Sequence, residues 1–139
     1  MKFEELRASG VVKTAEEWDD LSGRDIGAAI EVHRELGPGL TEIMYEEALC
    51  HEFDLRGIRY ARQVPIDVSY KSKPIGSTRL DLVVEGELTV ELKACESLGP
   101  VHRAQMICYL RVTGHKVGLL INFNVAILKD GIKRVVLSS

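Results

Sequence analysis

The stretch RLDLVVEGELTVELKA, from Arg79 to Ala94, restricts the fold more than any other part of the chain. Apolar and polar residues alternate on both sides of Glu85-Gly86-Glu87, the pattern of two half-buried strands joined by a tight turn. Side chains two apart on a strand share a face, so Glu91 and Lys93 point one way while Val90, Leu92 and Ala94 point the other. By the same rule Asp81 lies opposite Leu80 and Leu82. Paired as a hairpin, the two strands bring Asp81, Glu91 and Lys93 onto one face. Two carboxylates and an ammonium suit a divalent-metal site with a lysine beside it, and equally an ion pair on the wet face of a sheet.

The flanking sequence predicts the elements that cover this hairpin. A short helix is expected at Ala15–Leu21, within an acidic extension of residues 1–21. A helix follows from an N-cap at Ser22 to Leu36, with Ile26, Ala29, Ile30, His33 and Leu36 as its apolar stripe and Gly37-Pro38-Gly39 as its stop. A second helix spans about Leu40–Leu55. The period then changes to two: Tyr60–Tyr70, Ile75–Val84 and Glu87–Ala94 read as an antiparallel meander. Gly99-Pro100 opens a third helix reaching about Val112. Lys116–Asn122 (KVGLLIN) is a continuous apolar run, as in a strand covered on both faces. A last strand, Gly131–Leu137, belongs near a sheet edge. The order ααβββαββ describes a single domain over residues 22–139, of class α/β bordering on α+β: a mixed sheet of about five strands flanked by helices, with the crossover strand parallel to a meander strand.

Charge and cysteine usage narrow the functional classes. Residues 1–23 hold three basic and six acidic side chains, which accounts for the whole formal net charge of −3 and leaves the rest balanced. A strongly basic nucleic-acid signature is therefore absent, and any such binding rests on local groups. Candidates are Arg59, Arg62, Lys71 and Lys73 before the hairpin and Arg103, Arg111, His115 and Lys116 after it, each also readable as a solvated surface charge. Cys50, Cys95 and Cys108 form an odd set with no CxxC spacing, which points to free thiols in a reducing cytoplasm. No apolar run approaches the length of a membrane span, and the acidic start lacks a signal peptide's apolar core.

Asp81 and Glu91 are hard oxygen donors of the kind Mg²⁺ takes, usually one or two with waters completing the shell. The carbonyl of Leu92 is a further candidate ligand. Lys93 can orient a water or stabilise charge on a phosphate; a cation about 4 Å from a developing negative charge is worth roughly 4 kcal/mol at an effective dielectric near 20. On the second helix Glu42 heads the row Tyr45, Leu49, Phe53, where a carboxylate wants a cation or a metal, or serves the helix dipole in the first turn. Glu46, one turn on, is the alternative. Gln105 and Tyr109 stand four apart on one face of the third helix, suited to a phosphate or a metal-bound water, or else to plain surface positions. His33 reads as a half-buried core histidine, or as a group approaching the site from its far side.

The order helix with Glu42, strand with Asp81, strand with Glu91-Leu92-Lys93, helix with Gln105 and Tyr109 resembles the PD-(D/E)XK nuclease superfamily in its RecB-like branch. Gly39 to Tyr45 (GLTEIMY) fits the GxxExxY pattern that names a family of small bacterial proteins within it. IGAAIEVHRELGPGL, YEEAL, RLDLVV, VELKA and GLLINF are similar to that family too, and the likeness spans about residues 22–137. It implies a restriction-endonuclease-like core, metal binding by Asp81 and Glu91, catalysis by Lys93, and supporting roles for Glu42, Gln105 and Tyr109. The superfamily's usual proline before the metal-binding aspartate is replaced by Leu80. The expected activity is hydrolysis of DNA or RNA with Mg²⁺ or Mn²⁺, against a non-catalytic module of the same fold that grips nucleic acid or a protein. A homodimer would suit so small a chain.

Overall fold

Period-two alternation in the middle of the chain becomes a five-stranded sheet in the order β1-β2-β3-β4-β5. The computed structural model describes residues 15–137, with side chains from 19 onward; residues 1–14 of the acidic extension lie outside it. The elements are α1 (Ala15–Leu36), α2 (Glu42–Arg56), β1 (Tyr60–Tyr70), β2 (Lys73–Val84), β3 (Leu88–Lys93), α3 (Pro100–Thr113), β4 (Val117–Asn122), a 3-10 turn (Leu128–Gly131) and β5 (Ile132–Val136). β1, β2 and β3 form the expected antiparallel meander. After α3 crosses over, β4 runs parallel to β3, and β5 closes the sheet antiparallel at the edge. The class is α+β.

Strand parity sorts the side chains into two layers. Leu82, Val84, Leu88, Val90 and Leu92 meet Val117, Leu119 and Ile121 on one face, under Leu21, Ala28, Ala29 and Val32 of α1 and Tyr45, Leu49 and Phe53 of α2. On the other face Leu120 and Val135 receive Met106 and Leu110 of α3. Gly118 permits that contact: an added Cβ would lie 2.4 Å from the Met106 sulfur. All six residues of β4 are buried, as its unbroken apolar run requires.

Two expectations for α1 need correction. The helix runs unbroken through Ser22, which is buried mid-helix and caps nothing. Leu21, Ala28, Ala29 and Val32 form a single stripe, so the segments on either side of Ser22 share one helical register. That stripe is turned away from the expected one: Ala29 and His33 are buried, but Ile30 and Leu36 are exposed. Small residues at 28 and 29 let the helix lie close on its neighbours, and an ion pair from Arg134 of β5 to Asp19 (2.6 Å) fastens its start across the sheet.

α2 begins at Glu42, two residues later than expected, because Thr41 caps it by accepting the Met44 N–H at 3.4 Å. It ends at Gly57, whose φ of 69° is the left-handed cap conformation.

Candidate active site

The hairpin that dominates the sequence opens where its acids stand. β2 and β3 leave their turn paired at Val84 with Leu88, Val83 with Thr89, and Leu82 with Val90, and there the backbone ladder stops. The next bonds are made by side chains. The Asp81 N–H donates to Glu91 Oε2 at 2.7 Å, and the Leu92 N–H donates to Asp81 Oδ2 at 2.8 Å. Each acid satisfies a backbone donor of the opposite strand, so the register continues through a pair of strands joined only by carboxylates.

Asp81, Glu91 and Lys93 all lie on the α3 face, as parity demands. Glu91 is only 3% exposed, and Asp81 and Lys93 are half-buried. Burial raises the pKa of both acids. For Glu91 the adjacent Asp81 charge adds to the rise, and for Asp81 the bond from the Leu92 N–H opposes it; Lys93 acts on both in the lowering direction. The two carboxyls are close enough for the Asp81 charge to act on Glu91. Like charges so placed need a shared proton or a cation between them.

α2 approaches the end of β3 from the other side of the sheet. Glu42 Oε1 accepts the Ala94 N–H at 3.4 Å, immediately after Lys93. One turn on, Glu46 is buried and fully engaged: Arg62 donates to its Oε2 at 2.8 Å and Gln63 to its Oε1 at 2.9 Å. Its charge acts on Asp81. Gln63, opposite Asp81 in the β1–β2 register, takes a φ of 49°, and its side chain bonds across to α2. Tyr45 belongs to the core. Its hydroxyl donates to the Gly37 carbonyl at 2.6 Å and accepts the Leu40 N–H at 3.2 Å, and its ring stacks on Phe123 with centroids 4.4 Å apart. Aromatic stacking and two bonds to the glycine-proline turn thereby fix the first residues of α2, including Glu42.

α3 faces the acids with one flank. Met106 and Leu110 point into the sheet, and Ile107 joins them beside Leu137 on the β5 side. Gln105 and Tyr109 occupy the flank of the helix opposite Ile107, and α3 packs near β1 as well as on β4 and β5. Gln105 is exposed and Tyr109 half-buried; among the described residues no hydrogen bond joins either side chain to Asp81, Glu91 or Lys93. His33 is placed apart from the acids. Its Nε2 sits 2.8 Å from the Val125 carbonyl and its ring lies near Phe123, as a satisfied core histidine.

One organising residue escaped the sequence reading. Asn122, at the end of β4 and 1% exposed, accepts the Cys95 and Asn124 N–H groups at 3.1 and 3.2 Å and donates to the Cys95 carbonyl at 2.9 Å. It ties down the chain two residues past Lys93. Its signal was present: a lone amide closing an apolar run in a buried strand has to find partners.

The donors present fit a hard divalent cation. Among the described residues no group of three or more His, Cys, Asp or Glu side chains gathers at one point, but Mg²⁺ commonly takes only one or two carboxylates. A strand residue's C=O leaves the same edge as its N–H, so the Leu92 carbonyl faces β2, on the edge where Asp81 is bound. No curated protein matches the chain. The family model of the PD-(D/E)XK nuclease superfamily matches residues 19–135, a span that holds both acids, Lys93 and the sheet up to the last residue of β5, and the chain belongs to that superfamily.

Proposed function

We propose that the protein is a metal-dependent nuclease that hydrolyses phosphodiester bonds of DNA or RNA, with Mg²⁺ or Mn²⁺ as cofactor, in the GxxExxY family and RecB-like branch of the superfamily. PD-(D/E)XK nucleases generally use divalent metals. The observation that carries the reading is that the Asp81 and Glu91 carboxylates, next to Lys93, each bond a backbone N–H of the opposite strand at the point where the two strands part.

Asp81, Glu91 and the Leu92 carbonyl would hold the cation, which when bound lowers the pKa of water and neutralises phosphate charge. Lys93 supplies N–H donors and positive charge to a phosphate oxygen or to the attacking water. Glu42 acts through the backbone, holding the Ala94 N–H and so the aim of Lys93. Gln105 and Tyr109 line the α3 side, where an amide can bond a phosphate oxygen. A symmetric pair of chains would supply the surface that one small domain lacks for a duplex.

The test is incubation of labelled single- and double-stranded DNA and RNA with Mg²⁺ or Mn²⁺, using the wild-type chain, Asp81→Asn and Lys93→Ala. Loss of cleavage by at least about a hundredfold in both variants is expected. Cleavage that survives both substitutions sinks the reading. Metal binding without cleavage of any substrate favours the non-catalytic module.

A further inference from the structure

Arg79 extends the acid-bearing face by one step. It lies two residues before Asp81 on β2, so its side chain leaves the strand on the α3 face, about 7 Å along the strand. The carboxylate bonds carry the β2–β3 register as far as Asp81 and Glu91. Continued by two residues, that register sets Arg79 opposite Lys93. The face thus holds two acids at one level and two cations at the next.

Arg79 is also unengaged. Arg24, Arg34, Arg56, Arg59, Arg62 and Arg134 each pair with a carboxylate. Arg79 is exposed, and among the described residues no carboxylate lies within ion-pair distance of it. On its own face its cross-strand neighbours are Pro65, directly opposite, and Asp67, on the diagonal. From this point β1 and β2 run on past the end of β3 as a two-stranded arm to Tyr70 and Lys73. Among the described residues no strand covers the β3-facing edge of β2 there.

We propose that Arg79 anchors the nucleic-acid backbone phosphate next to the one attacked, a sequence-independent contact that seats the chain beside the acid pair. This rests on the nuclease reading above. A planar guanidinium presents paired N–H groups that match two phosphate oxygens, and an exposed Arg79 with no carboxylate at ion-pair distance is open to take one.

The experiment measures binding of a short fluorescein-labelled oligonucleotide, single-stranded and duplex, by anisotropy over a range of salt with Mg²⁺ present. Lys93→Ala serves as the parent chain so that turnover does not intervene. Adding Arg79→Ala should weaken binding about tenfold and lower the slope of log K against log salt by about 0.7 to 0.9, the loss of one phosphate contact. Arg79→Lys should retain most of the slope. Lys129→Ala, an exposed cation in the 3-10 turn, should change neither quantity. An unchanged slope in Arg79→Ala overturns the anchor while leaving the nuclease reading intact, and an equal loss in Lys129→Ala overturns its location. A parent chain that binds neither oligonucleotide overturns the nuclease reading, and the anchor with it.

Discussion

Asp25 sits on the core stripe of α1, fully buried, and neither of its carboxylate oxygens is hydrogen-bonded among the described residues. Burial alone pushes its pKa up to about 8. The folded chain therefore holds a proton there that the unfolded chain releases above about pH 4. A folded pKa above the unfolded one means that stability is lost as pH rises from about 4 to about 8. Asp25→Asn removes that titration: denaturant melts should show it near wild type at pH 5 and more stable by a few kcal/mol at pH 9. Sequence periodicity could not place this residue, because a charged side chain is scored as wet and the stripe was read one flank away, through Ile30 and Leu36. Asp81, Glu91 and Lys93 were legible because strand parity has no such freedom. A side chain two along is on the same face whatever packs against it. What parity could not show is that Glu91 would bond the Asp81 N–H and Asp81 the Leu92 N–H, or that Gln63 opposite them would take a positive φ.

The end of β3 is held by its neighbours more than by itself. Asn122 makes three bonds to the Cys95–Asn124 region from within a buried strand. Asn122→Ala should destabilise the fold by about 2–3 kcal/mol, since it strands buried backbone groups, and should lower cleavage further than the stability loss explains, through Lys93. Asn122→Asp replaces the donor to the Cys95 carbonyl with an acceptor and should fare no better. α3 depends on a different device. Met106 lies against the bare backbone of Gly118, so Gly118→Ala should cost about 1–3 kcal/mol by overpacking, and Met106→Ala in the same chain should recover part of it. Thermal melts of the single and double variants check the coupling. The helix itself was legible from Gly99-Pro100 and Thr113-Gly114, which punctuate it at both ends. Its closeness to β4 was not, because that is set by one missing methyl group on another element.

At the scale of the whole molecule, the order of elements was readable because each change of period coincides with a turn. The bounds of α1, the starts of α2 and β2 and the 3-10 turn at Leu128–Gly131 departed from expectation, and other ends shifted by about a residue. The same balance of forces sets how the protein responds to pH and metal. Both site acids have raised pKa values, so without a cation the folded chain loses stability as pH rises above the ordinary carboxylate range. On the proposed function, a divalent cation would displace a proton from this pair, and its binding would strengthen as pH rises. Melting temperature should therefore increase with Mg²⁺ or Mn²⁺ more at pH 8 than at pH 5, and the increment should vanish in Asp81→Asn.

The carboxylates that end the β2–β3 ladder have a spectroscopic consequence. Two amide protons, those of Asp81 and Leu92, are held by the site acids and by nothing else in the sheet. Their exchange with solvent therefore reports the state of the acids directly. A cation that draws the carboxylates toward itself should shift both amide resonances, while the amides of Val83 and Val90, one step inside the ladder, keep their own clocks. The junction where the sheet comes apart doubles as a built-in gauge of whether the site is loaded.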